Sequence, residues 1–289
     1  MYKKRKLWGY AFVAPQLIGL ILFSLIPLVQ AFLLSFQNWD GMGVKTWIGL
    51  ENYIDAFGTA DFAKSLLNTL KYTLYFVPAD VILALLIAMG VKNVAGKTFY
   101  RLFYFMPVVS GSVAVGVIWT WLLNEKTGLI NMLLKMAGLP GVPWLVDKTL
   151  VLMSIAMVSV WWNVGYNMVI FLAGLQGIPQ TYYEAASIDG ANKFQQFRHI
   201  TVPMVSSTTF FVLITTIISS FQVFDQAFVM TQGGPAKASY TFVYYIYESA
   251  FQKFKMGYAS ACAMVLFVII LLITMFQMWV SNKWVNYDV

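Results

Sequence analysis

Glu184-Ala185-Ala186-Ser187-Ile188-Asp189-Gly190-Ala191, continuing through Phe197, Ile200 and Pro203, is a polar, short-residue stretch between two long apolar runs. Pro179 stands before it and Pro203 near its end. Proline is tolerated in the first turn of a helix, so both read as helix starters. Two short helical pieces with a bend at Gly190 are expected, because glycine supplies the φ > 0 backbone such a bend needs. The Glu184-Ala-Ala turn is compact and charged, which suits a knob entering a socket on another protein. The plainer reading of the same residues is an ordinary connecting loop.

The runs on either side set the class. Of 289 residues, 60% are hydrophobic and 11% are charged. Soluble domains carry about 25% charged residues, so repeated apolar spans mean one integral membrane bundle. The net charge of +7 does not signal nucleic acid, because the basic residues flank apolar spans and form no continuous basic face. Cys262 is the single cysteine and sits in an apolar run, which leaves no intrachain disulfide. One histidine argues against a His-rich metal site.

Six spans are expected, at about 8–36, 66–89, 99–123, 150–175, 203–225 and 258–280, with the Glu184 loop over about 179–202. The whole chain, 1–289, reads as a single transmembrane domain. The first span follows Lys3, Lys4, Arg5 and Lys6; its apolar region is too long for a cleaved signal peptide. Pro15 and Pro27 are candidate kinks. Six spans put both termini, including the tail 281–289, on one side. Lys and Arg number ten on the proposed inside and eight outside. The orientation therefore rests on their density in short inner segments and on the first helix, which place the termini and the Glu184 loop in the cytoplasm.

The loop resembles the EAA loop of membrane subunits of ATP-binding-cassette (ABC) importers, whose pattern is EAA…G…I-x-L-P. Glu184, Ala185, Ala186, Asp189, Gly190, Ala191, Ile200 and Pro203 stand in register, and Val202 replaces the usual Leu. Three further stretches resemble the carbohydrate branch of that family. They are Ser35-Phe36-Gln37-Asn38-Trp39 with Gly49-Leu50-Glu51-Asn52-Tyr53; Phe224-Asp225-Gln226 with Met230-Thr231-Gln232-Gly233-Gly234-Pro235; and Tyr244-Tyr245-Ile246-Tyr247 with Met256-Gly257-Tyr258-Ala259. The resemblance implies an all-α, six-helix, type I ABC importer (MetI-like) permease fold with a cytoplasmic coupling helix. It implies coupling to an ATPase through Glu184, Ala185, Ala186, Asp189 and Gly190.

Polar residues inside spans are the leads to a pathway, since they are costly in lipid and tend to face a bundle interior or cavity. Ser159, Trp162, Asn163 and Tyr166 follow i, i+3, i+4, i+7 spacing and share one helical face. An aromatic plate, an amide and a phenol suit sugar. Thr216 and Ser220 are i, i+4 neighbours on the fifth span. In maltose-type members the sugar contacts lie on the two helices that flank the EAA loop, which implies these positions. Helix–helix packing is the competing role for such residues. Asp80 lies near the centre of the second span and Asp225 near the outer end of the fifth; the sequence leaves Asp80 open between a partner helix and a polar path. His199 reads as a surface or interface residue.

Gly96-Lys97-Thr98 imitates the end of a phosphate-binding loop, but the pattern needs Gly at the position of Val91 and a preceding strand. No catalytic residues, metal or cofactor are expected in this chain, and the resemblance puts ATP and Mg on partner ATPase subunits. It also implies a second homologous permease subunit as a heterodimer partner, two ATPase subunits and an extracytoplasmic sugar-binding protein, in a bacterial or archaeal inner membrane. The expected function is uptake of a sugar or oligosaccharide through a pathway of which this chain forms half. Alternatives are the same architecture serving a sugar phosphate or other polar solute, an ion-coupled secondary transporter, and a structural scaffold.

Overall fold

The computed structural model describes residues 2–92 and 94–285. Asn93 of the short basic loop and the last four residues of the expected inner tail lie outside the described residues. The chain is helical with one small hairpin, and it divides into two compact units.

The first unit comprises the stretch up to Phe62 with Tyr245–Val268. Helix α1 (Tyr2–Leu20) runs through a π turn (Ile21–Leu25) into α2 (Ile26–Leu34). Pro27 falls in the first turn of α2 and has no N–H to give. The ladder widens just before it, with the Ile26 N–H bonding the Ile21 carbonyl. The window Phe12–Leu34 buries none of its residues within the chain. Strands β1 (Gln37–Asn38) and β2 (Thr46–Trp47) pair antiparallel, and α3 (Glu51–Gly58) follows. Buried Asn52 closes this corner: its Nδ2 donates to the carbonyls of Ser35 and Gln37, each at 2.9 Å. Tyr53 donates its hydroxyl to Ser35 Oγ at 2.7 Å. Gly257 approaches the Gln37 carbonyl so closely that a Cβ would not fit. Two of the family-like stretches are thus parts of one packed corner.

The second unit comprises Ala63–Tyr244 with Ile269–Val289. Its helices are α4 (Ala60–Lys92), α5 (Lys97–Val109), α6 (Ser112–Leu122), α7 (Leu129–Met136), α8 (Val151–Gln176), α9 (Gln180–Ile188) and α10 (Lys193–Gln196). A π turn (Phe197–Thr201) leads into α11 (Val202–Met204), α12 (Ser206–Phe221), α13 (Asp225–Thr231) and α14 (Phe242–Tyr247). A further π turn (Glu248–Gln252) and the start of α15 (Met256–Ser281) belong to the first unit, and α15 from Ile269 on belongs to the second. The core lies around α8, where Ile155, Val158, Met168 and Phe171 are fully buried. Lipid is as apolar as leucine, so close packing and polar bonds set which helices meet. Glycine permits the closest approaches. Gly165 faces the Tyr104 carbonyl of α5, and Gly174 faces Thr208 of α12.

Among the described residues four helices are long and apolar enough to cross a membrane, or up to six spans if each of two bent pairs counts as one. The expected third span, 99–123, is bent by 95° between α5 and α6. Ser110 and Gly111 adopt extended backbone there, three residues after Pro107. The Ser110 carbonyl, freed from the helix, accepts from Trp162 Nε1 at 3.2 Å. The expected fifth span, 203–225, bends by 65° between Lys193–Met204 and α12, and its helix ends at Phe221.

Candidate functional site

The Glu184 loop is a rigid, solvent-facing knob. α9 starts after Pro179 and ends at Ile188, and Gly190 has φ of 79°, in the region open to glycine. Asn192 and Gln195 then form a reciprocal cap on α10. Asn192 Oδ1 accepts from the Gln195 N–H at 2.9 Å, and Gln195 Oε1 accepts from the Asn192 N–H at 2.7 Å. Gln196 Nε2 ties α10 back to α9 by donating to Ser187 Oγ at 2.9 Å. Tyr183 and Thr201 share a hydroxyl bond of 3.0 Å, and the Lys92 ammonium sits 5.2 Å from the Tyr183 ring centre. His199 Nδ1 lies 3.1 Å from the Gln195 carbonyl on the exposed face.

What this framework holds out is charged and apolar. Glu184, Ala185, Asp189 and Gly190 are exposed, and Ala186 is half-buried. Ile188 is 86% exposed and Phe194 68% exposed. A hollow of about 310 Å³ lies between the two short helices, against Ala186, Asp189, Gly190, Gln195 and His199. Contrary to its reading as a helix starter, Pro203 lies near the end of the continuous helical segment Lys193–Met204, and the next helix begins at Ser206.

The polar side chains of the spans meet in the core. Asp80 of α4 is fully buried. Its Oδ2 accepts from Asn167 Nδ2 at 2.5 Å and from Asn163 Nδ2 at 3.2 Å. Asn167 Nδ2 also lies 2.9 Å from Thr216 Oγ1. Thr73 and Ser220 share a hydroxyl bond of 2.9 Å. Thr216 and Ser220 are therefore engaged between helices, and Ser220 also bonds back to the Ile217 carbonyl at 2.7 Å.

Beside this cluster lies a cavity of about 220 Å³. Ser159, Trp162 and Asn163 of α8 form one wall, with Tyr72 and Phe76 of α4. Ser219, Gln222 and Asp225 also line the cavity. Asp225 accepts a hydrogen bond from the Ser112 hydroxyl. Ser159 is buried and bonds back to the Ile155 carbonyl at 3.0 Å. Tyr166, from the same predicted face, is 46% exposed and does not line this cavity. Asn167 escaped the sequence reading, although it lies one turn beyond Asn163, on the same face. Asp147 orders the start of α8 from outside the span. Its carboxylate accepts from the Thr149 hydroxyl and from the backbone N–H groups of Thr149 and Leu150, which holds it below the usual carboxylate range. Among the described residues no three His, Cys, Asp or Glu side chains gather as metal ligands.

The sequence and the fold have relatives. A protein-family model described as "Binding-protein-dependent transport system inner membrane component" matches residues 61–286. The probable ABC transporter permease protein YesP of Bacillus subtilis (strain 168) is 39% identical, over 99% of this chain and 94% of its own. The probable starch degradation products transport system permease protein AmyD of Thermoanaerobacterium thermosulfurigenes is 30% identical, over 97% of this chain and 96% of its own. Among solved structures, a chain of a bacterial alginate ABC transporter in complex with alginate pentasaccharide-bound periplasmic protein superposes with a TM-score of 0.85. It covers 97% of this chain and 96% of that chain at 21% identity, a likeness of fold. By sequence, span and helix arrangement, the chain belongs to the family of binding-protein-dependent transport system inner membrane components.

Proposed function

We propose that this chain is the permease subunit of an ABC importer for a sugar or oligosaccharide, and that it forms half of the pathway. Such subunits are not themselves enzymes; ATP and Mg belong to two ATPase subunits. A second homologous permease, as a heterodimer partner, and an extracytoplasmic sugar-binding protein complete the assembly. Both termini and the Glu184 loop lie in the cytoplasm.

One observation carries this reading. The exposed knob around Glu184 lies between α8 and α12, and side chains of the same two helices line the polar cavity. Trp162, Tyr72 and Phe76 offer flat apolar faces to sugar C–H groups. Ser159, Asn163, Ser219 and Gln222 offer hydroxyls and amides to sugar hydroxyls. Such a mix of apolar walls and few polar groups is typical of ligand sites. In the mechanism, ATP binding closes the ATPase dimer and moves the knob, with Glu184, Ala185, Ala186, Asp189 and Gly190 as the contact. The spans then rock from inward-open to outward-open, sugar enters the cavity from the binding protein, and hydrolysis resets the system. In this reading Thr216 and Ser220 brace the cluster behind the pathway through their bonds to Asn167 and Thr73, and Tyr166 lies on the same helix as Asn163, outside the cavity.

The test is coexpression with the second permease, the ATPase and the binding protein, then reconstitution into liposomes. Sugar uptake should need ATP and every subunit. Uptake by the pure chain driven by an ion gradient would replace this reading with a secondary transporter.

A further inference from the structure

We propose that Asp80 is a positioning residue for the substrate contact at Asn163, and that with Asp225 it makes this half-pathway accept neutral, hydroxyl-rich solutes and reject anionic ones. The inference rests on the sugar-permease reading and narrows its substrate class.

A carboxylate only accepts hydrogen bonds, whereas an amide has a donating and an accepting end. Asn163 bonds Asp80 Oδ2, so its NH₂ must be the end that faces Asp80. Its carbonyl oxygen is the end left over, and Asn163 lines the cavity. Asp80 thereby fixes an acceptor for a substrate O–H. Asn167 braces the arrangement from the next turn by donating to the same carboxylate oxygen.

The charge matters as well as the direction. Asp80 is fully buried, and its Oδ1 has no partner among the described residues. Among the described residues no Lys, Arg or His lines the cavity, whereas Asp225 does. Asp225 is bonded by a neutral hydroxyl, that of Ser112. Asp225 lines the cavity and Asp80 lies behind its lining amide Asn163, so both carboxylates set a negative potential for a solute there. A phosphate or uronate there meets like charge and no counter-cation. A neutral sugar meets amide and hydroxyl partners at Ser159, Asn163, Ser219 and Gln222. The fold itself does not choose, since it also serves the import of an acidic polysaccharide; the side chains do.

The experiment is saturation-transfer NMR on the solubilised permease–ATPase complex without its binding protein. The probes are neutral trisaccharides (maltotriose and arabinotriose), an anionic one (trigalacturonate) and a cationic one (chitosan trisaccharide). Wild-type complex should bind a neutral probe far more strongly than trigalacturonate, with a measurable ratio between the two. Asp80→Asn keeps the shape but frees the Asn163 amide to turn over, and Asp225→Asn removes the wall charge. In each, the neutral-to-anionic binding ratio should fall by about tenfold. A purely structural defect would lower all probes together and leave that ratio fixed, which overturns the proposal. Should Asp80→Asn fail to assemble, Asp225→Asn carries the test of charge and Asn163→Ala that of the acceptor, with selective loss of neutral binding expected. Wild-type preference for trigalacturonate or for the cationic probe also overturns it. Absence of binding by any probe would remove the sugar reading itself, and this inference with it.

Discussion

Gly165 of α8 presses against the backbone carbonyl of Tyr104 on α5, with no space for even a methyl group between them. Gly165→Val must push the two backbones apart, and overpacking of this kind costs about 1–3 kcal/mol. The variant should yield less monodisperse protein and unfold at lower denaturant in a detergent titration. Gly90→Ala is the control: nothing lies within reach of its Cβ, so its effect should be neutral or slightly stabilising. Equal behaviour of the two variants would refute the close contact.

Asn167 is the more important amide of the buried cluster, because it serves both Asp80 and Thr216. Asn167→Leu keeps the volume and removes a bond to a charged group, a loss of about 2 kcal/mol. Thr216→Val removes only a neutral partner and should cost about 1 kcal/mol or less. The expected order in the same titration is wild type, then Thr216→Val, then Asn167→Leu. A reversed order would mean that Asp80 does not organise this cluster.

Asn52 closes the corner made by Ser35, Gln37 and Tyr53. Asn52→Ala leaves two backbone carbonyls without their donor, at a cost of about 1–3 kcal/mol. Hydrogen exchange should quicken over residues 35–53 while α8 keeps its protection. Unchanged exchange in that corner would count against the role given to Asn52.

The knob should uncouple transport when altered. Glu184→Lys reverses an exposed charge, and if it meets a partner as proposed, loss of one side of a hydrogen-bonded charge contact costs about 2–5 kcal/mol. Gly190→Val forces a β-branched residue into a backbone with φ of 79°, which re-aims α10. Both variants should abolish uptake while sugar binding to the binding protein stays normal. ATPase subunits should wash off or hydrolyse without stimulation by sugar. Tight ATPase binding with sugar-stimulated hydrolysis in both would sink the coupling role.

The chain purified alone should neither bind nor hydrolyse ATP. Gly96-Lys97-Thr98 opens α5 after another helix, with no strand before it to present phosphate-binding amides. Saturable nucleotide binding lost in Lys97→Ala would reverse that reading.

Local signals carried far in this chain. Pro179 and Gly190 announced a helix start and a bend, because each acts on its own backbone, whereas Pro203 lies inside the segment Lys193–Met204 instead of starting a helix. The face through Ser159, Trp162 and Asn163 followed from helical spacing alone, and those three do line one cavity. What stayed hidden needed a second helix to define it. Asp80 gave no hint of its partners until α4 lay beside α8. The break at Ser110 was masked by the apolar run around it, since hydropathy records composition and not direction. Its compensation, the Trp162 indole on the freed carbonyl, lies 52 residues away.

The bend at Val205 gives α12 mechanical leverage. α12 has 16 residues and is therefore about 24 Å long. It leaves the Lys193–Met204 segment at 65°, so it stands off that segment like the arm of a crank. A turn of about 10° at Val205 sweeps the Phe221 end through about 4 Å, by the same helical rise. Ser219 and Gln222 sit at that far end, on the cavity wall. A turn that moves residues next to the bend only slightly becomes, at the tip of the arm, a shift wider than a water molecule.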